Sequence, residues 1–124
     1  MVNLQIPLPP SVNRLWRTTK NGGGMYRSAK YTAWIKEAYA MILIQMRGQK
    51  RVRGEYKLTI ECTKPDRRKR DLDNILKALS DILTHSGVIE DDSLCVWLEA
   101  RWVESGNPCS VVIQGVNELS TAPK

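Results

Sequence analysis

Between Tyr56 and Leu83 the spacing of apolar residues changes period, and that change limits the folds open to the chain. From Tyr56 to Thr63, Leu58, Ile60 and Cys62 alternate with Lys57, Thr59 and Glu61. A period of two predicts a half-buried strand, which Pro65 ends. Further on, Leu72, Ile75, Leu76, Leu79, Ile82 and Leu83 recur at helical spacing. They predict an amphipathic helix that closes near Gly87. Two more strand-like stretches follow, Leu94 to Glu104 and Cys109 to Val116, and Ser105-Gly106-Asn107-Pro108 between them reads as a hairpin turn.

Upstream, Asn3 to Leu8 alternates as a short strand that Pro9-Pro10 stops, and residues 11 to 27 form a long basic and aromatic loop around Gly22-Gly23-Gly24. From Ser28, a fitting N-cap, Tyr31, Trp34, Ile35, Ala38, Tyr39, Ile42 and Met46 mark a first helix that runs until Gly48. The order strand, helix, strand, helix, strand, strand predicts an α/β (α+β) fold: a mixed sheet of about four strands covered by two main helices. The chain has 124 residues, 42% of them apolar. That suffices for one core and is too short for two, so a single domain over 1–124 is expected, with 118–124 frayed.

Cys62, Cys95 and Cys109 are odd in number and lack CxxC spacing, which points to unpaired thiols and a reducing compartment. No apolar run is long enough to cross a bilayer and no secretory signal is evident, so a cytoplasmic location with no membrane partner is expected.

The formal charge of +6, from 19 Lys and Arg against 13 Asp and Glu, attracts polyanions, with nucleic acid first among them. Its distribution is more telling. KPDRRKRDLDNILK, residues 64 to 77, packs cations and carboxylates where a strand hands over to a helix. Asp71 stands where an N-cap belongs, Asp73 falls in the first helical turn, and Lys77 lies one turn beyond it on the polar face. Downstream, Glu90, Asp91 and Asp92 begin the next strand, and strand order decides whether they reach Asp71. Clustered carboxylates are the hard oxygen ligands that Mg²⁺ takes, and a metal held by carboxylates can activate water against a phosphodiester. Lys77 could orient the attacking water or offset charge in the transition state. Each acid also has a plainer reading, as a helix cap or a solvated loop residue. A protein that only gripped phosphate would lose affinity by placing acids amid its cations, whereas a metallonuclease needs both.

Arg67, Arg68, Lys69 and Arg70 beside these acids suit contacts to backbone phosphates. In the N-terminal loop Arg14, Arg17, Lys20 and Arg27, with Trp16 and Tyr26, suit phosphate contact and base stacking, although the aromatics could equally close the core. His85 is the only histidine, so mechanisms built on histidine clusters or Ser-His-Asp triads lack parts. No organic cofactor is expected. The alternatives are a non-catalytic nucleic-acid-binding module whose acids merely cap helices, and a metal-dependent nuclease for flaps or forks.

PDRRKRDLDN, Lys77 and Asp91-Asp92, together with PPSVNR at residues 9 to 14, resemble the RusA family of Holliday-junction resolvases, from the first strand to about residue 104. The resemblance implies that Asp71, Asp73 and Asp92 are catalytic and hold metal, that Lys77 is an active-site lysine, and that Asn13 helps to position the site. It also makes Asp91 a candidate ligand. It further implies Mg²⁺ or Mn²⁺, a homodimer, and paired symmetric nicks across a four-way DNA junction. Glu90 stands where the family pattern leads one to expect an apolar or aromatic residue, and the triple glycine is a second departure.

Overall fold

The computed structural model describes residues 1–10, 16–18, 25–66 and 72–116, with 16–18 and 25–27 described by their backbone. Its elements are β1 (Val2–Ile6), β2 (Trp16–Thr18), β3 (Met25–Arg27), α1 (Ala29–Gln45), β4 (Tyr56–Thr63), α2 (Leu72–His85), β5 (Cys95–Val103) and β6 (Cys109–Gly115), and a 3-10 turn covers Asp92–Leu94. The expected α/β (α+β) architecture is present: a mixed four-stranded sheet in the order β1-β6-β4-β5, with two helices. Residues 118–124, expected to be frayed, lie outside the described residues.

The period-two pattern of β4 becomes a strict alternation of burial: Tyr56, Leu58, Ile60 and Cys62 are buried and the residues between them partly open. β1 and β6 alternate likewise, so the sheet has one covered face. Against that face α1 buries Tyr31, Trp34, Ala38 and Ile42, and α2 buries Ile75, Ala78, Leu79, Ile82 and Leu83. Full burial of a side chain such as Leu79 or Leu83 stabilises by roughly 1.5 to 3 kcal/mol. The N-cap expected at Ser28 is in place, its Oγ accepting from the Tyr31 N–H at 3.1 Å. Trp34 Nε1 donates to the Pro7 carbonyl at 2.7 Å, tying α1 to the end of β1.

Two expectations need correction. The last two strands do not form a hairpin, because β4 lies between them. The α2 crossover returns the chain parallel to β4, as strand-helix-strand units do, and β5 pairs with one edge of β4. β6 then pairs antiparallel with its other edge. The turn before β6 passes over the end of β4, where Thr63 donates through Oγ1 to the Asn107 carbonyl at 2.9 Å and through N–H to the Pro108 carbonyl at 3.1 Å. Turn chemistry reports a reversal and not the neighbour that follows it. Likewise the N-terminal loop contains a small β2–β3 hairpin, with Trp16 opposite Arg27 and Arg17 opposite Tyr26. Strands of three residues are too short to carry a visible period.

The three cysteines are free. Cys62 and Cys109 face each other across β4 and β6 with their sulfurs 3.3 Å apart in the core. Among the described residues, no helix is long and apolar enough to cross a membrane.

Candidate active site

The sequence-predicted acids fall into two groups. The first belongs to the start of α2. Asp73 sits exposed in its first turn, where a carboxylate meets the positive end of the helix dipole. Lys77, also exposed, follows one turn later on the same face. Just upstream, at the end of β4, the Lys64 ammonium lies 5.6 Å from the Trp102 ring centroid, a cation–π contact that fixes a positive charge beside the end of β5. Asp71 and the basic run Arg67, Arg68, Lys69 and Arg70 lie outside the described residues. So do Asn13, Arg14 and Lys20, while Trp16, Arg17 and Arg27 are placed by backbone alone on β2 and β3.

The second group lies just ahead of β5, with Asp91 capping and Asp92 opening a 3-10 turn rather than beginning the strand as expected, and its three acids have separate employments. Glu90 Oε1 accepts from the Gly54 N–H at 2.6 Å, pinning the loop ahead of β4 beside the Val52–Ile89 bridge. Asp91 caps the 3-10 turn: its Oδ2 accepts from the Ser93 N–H at 3.0 Å and from the Ser93 hydroxyl. Those bonds, the hydroxyl's foremost, hold its carboxyl below the usual carboxylate range. Asp92 is exposed, and no other described residue offers its carboxylate a hydrogen bond or an ion pair.

Beneath this group lies a residue that sequence reading passed over. Tyr56 is fully buried, and its hydroxyl has no hydrogen bond of normal geometry, although the Cys95 thiol is close enough to interact. Burial first, then the negative charge of Cys95, Asp92 and Asp91, push the phenol up to about 12. Burial also raises the Cys95 thiol, which donates to the Trp97 carbonyl at 3.4 Å. A tyrosine opening an alternating strand carries no sequence mark of such surroundings.

The structure does not bring the two acid groups together within one chain. β4 and β5 run parallel, with Tyr56 opposite Cys95 at one end and Thr63 opposite Val103 at the other. Asp91 and Asp92 precede Cys95, whereas Asp73 follows the Thr63 end. Between Asp73 and His85, α2 alone rises about 18 Å. Among the described residues, no three His, Cys, Asp or Glu side chains gather as a metal site.

Comparison with known proteins adds a further finding. Residues 7–114 match the family model described as Endodeoxyribonuclease RusA. The chain is 38% identical over 87 residues to the crossover junction endodeoxyribonuclease rusA of Enterobacteria phage HK97, covering 70% of each protein. It is 39% identical over 101 residues to the crossover junction endodeoxyribonuclease RusA of Escherichia coli K12, covering 76% of each. With the protein of that name from Aquifex aeolicus it shares 35% identity over 92 residues, 73% of this chain and 68% of the relative.

Proposed function

The chain belongs to the RusA endodeoxyribonuclease family, and from that premise we propose that it resolves four-way DNA junctions as a homodimer, using Mg²⁺ or Mn²⁺ held between aspartates of two chains. The observation that carries the two-chain reading is the separation of Asp73 from Asp92 by the length of α2. One protomer offers too few described carboxylates in any one place for a divalent ion, whereas a second copy can supply the missing group. The donor set suits a hard cation, being carboxylate oxygen on exposed side chains with room for water.

In this reading Asp71 and Asp73 of one chain and Asp92 of the other hold the ion. A divalent ion held by these residues would supply a water of lowered pKa and a positive charge for the leaving oxygen. Asp92 is favoured over Asp91 because Ser93 already occupies the Asp91 carboxylate, and over Glu90 because Gly54 occupies that one. Lys77, one turn from Asp73, offsets charge that builds on the phosphate during attack. The run from Arg67 to Arg70 and the cations of the N-terminal loop grip backbone phosphates and hold the branch in register. Two sites related by a twofold axis match two symmetric incisions.

The test is incubation with end-labelled four-way junction, linear duplex and flap DNA, each with Mg²⁺ or with EDTA. Paired symmetric nicks on the junction alone, lost in EDTA, are expected. Binding without any incision in Mg²⁺ or Mn²⁺ would overturn the enzymatic reading in favour of a binding module. Preferential cutting of the flap would move the substrate.

A further inference from the structure

Cys62 and Cys109 stand directly opposite each other on β4 and β6, both fully buried and both free. Their rung is of the non-hydrogen-bonded kind, because the Thr63 N–H goes to the Pro108 carbonyl one residue further along. Side chains approach most closely at such rungs, where Cα atoms lie about 4.5 Å apart, within the span that a disulfide bridges. The sulfurs are already 3.3 Å apart. No step of the proposed hydrolysis uses them.

Their place in the chain gives the pair reach over the site. Cys62 is the last residue but one of β4, and Cys109 is the first of β6. Between them in sequence lie Asp71, Asp73, Lys77, Asp91 and Asp92, so a bond between the sulfurs closes a loop around every acid proposed for the site. Directly after β4 the chain runs through residues 64–71 into α2. The sulfurs are buried, yet the rung lies at a sheet end: Lys64 and Pro65 beyond β4, and Asn107 and Pro108 ahead of β6, are exposed. Fraying of that terminal rung suffices to admit a small oxidant.

We propose that hydrogen peroxide closes Cys62 and Cys109 into a reversible disulfide, and that closing it slows junction cleavage; the second half rests on the function proposed above. The Cys109 thiol, donating to Cys62, holds Cys62 below the ordinary thiol range, while the same bond and burial push Cys109 up. Cys62 is therefore the attacking thiolate. Its sulfur takes one peroxide oxygen as the O–O bond breaks, giving a sulfenic acid and, with the thiol's proton, one water. The Cys109 sulfur then attacks the Cys62 sulfur, and the displaced hydroxide leaves with the Cys109 proton as a second water. Two thiols are oxidised and one peroxide is reduced, and an added dithiol reverses the bond. Closing it draws the end of β4 towards β6 by roughly 1 Å, and misplacement on that scale at a catalytic group costs about a hundredfold in rate.

The test uses the Cys95→Ser protein, in which the pair holds the only thiols. After hydrogen peroxide, the intact mass should fall by two hydrogens and a peptide map should join Cys62 to Cys109. The thermal midpoint should rise by at least about 5 °C, since the joined residues are 47 apart in sequence. Junction nicking in Mg²⁺ should fall at least about tenfold and return in dithiothreitol. Cys62→Ala in the same background should nick equally before and after peroxide; if it fails to fold, the peroxide and dithiothreitol cycle decides alone. A pair that stays reduced, a disulfide that leaves nicking unchanged, or a Cys62→Ala variant slowed as much overturns the switch and leaves the nuclease standing. A reduced protein that binds the junction and never nicks it overturns the function and, with it, control of nicking by the pair.

Discussion

The start of α2 and the entrance to β5 both present exposed acids at a junction between elements, yet the chain treats them differently. At α2 the carboxylate of Asp73 lies in a first helical turn one turn ahead of Lys77, where the positive end of the helix dipole favours negative charge. At β5 two of three consecutive acids are consumed by the backbone, Glu90 by the Gly54 N–H and Asp91 by Ser93, and Asp92 is left over. Adjacent residues of the same chemistry therefore differ in availability, because the loop needs two acceptors and takes the nearest. Function can use only what local structure leaves.

The comparison breaks most visibly in the aspartate variants. Asp73→Asn and Asp92→Asn should each lower junction cleavage by about a thousandfold, the scale of several kcal/mol that a metal site contributes, while a gel-shift assay finds junction binding kept. Asp91→Asn should stay within about tenfold of wild type. An Asp91 variant as damaged as the Asp92 variant would erase the distinction between them.

Glu90→Ala sharpens the structural half of the contrast. It removes a charged acceptor from Gly54 and should cost about 1 kcal/mol in urea unfolding, less than a buried bond to a charged group because both groups reach solvent, with cleavage otherwise preserved. Tyr56→Phe should stabilise by up to about 1 kcal/mol, since it removes a buried hydroxyl without a good partner. The same phenol should resist ionisation until pH approaches about 12 in absorbance titration. Its ordinary value is 10.0, so its folded value is raised. The stability linked to it is complete below pH 10 and is lost as pH rises towards 12.

The smallest effect concerns Asp91. Its folded pKa is depressed by Ser93, so the associated stability is present above the usual carboxylate range and is lost as pH falls through the lowered value. Carbon-detected NMR should find the Asp91 midpoint low, and Ser93→Ala should move it up.

Much of the fold was legible because period is a local signal. β4 occupies the expected Tyr56 to Thr63, and α2 closes two residues before Gly87. Partnership between distant segments was not legible. Nothing in Ser105 to Pro108 says that the chain passes over β4 before turning back, and that step separates β5 from β6. The same blindness applied to the site. Spacing alone put Asp71, Asp73 and Lys77 on one helix start, while sheet order decided that Asp92 enters from the opposite end. That Gln45 and Gln49 bond the backbone of β1 at Gln5 and Asn3 is written in no pattern, since it depends on β1 lying alongside.

The most direct test of the account mixes two inactive proteins. Asp73→Asn and Asp92→Asn, each silent alone, are unfolded and refolded together so that chains exchange, then assayed on a four-way junction with Mg²⁺. If each site joins Asp73 of one chain to Asp92 of the other, the mixed dimer holds one intact site. The account predicts that nicking returns, on one strand per junction. A mixture that forms mixed dimers and stays silent would contradict it, because a site contained within a single chain is destroyed in both.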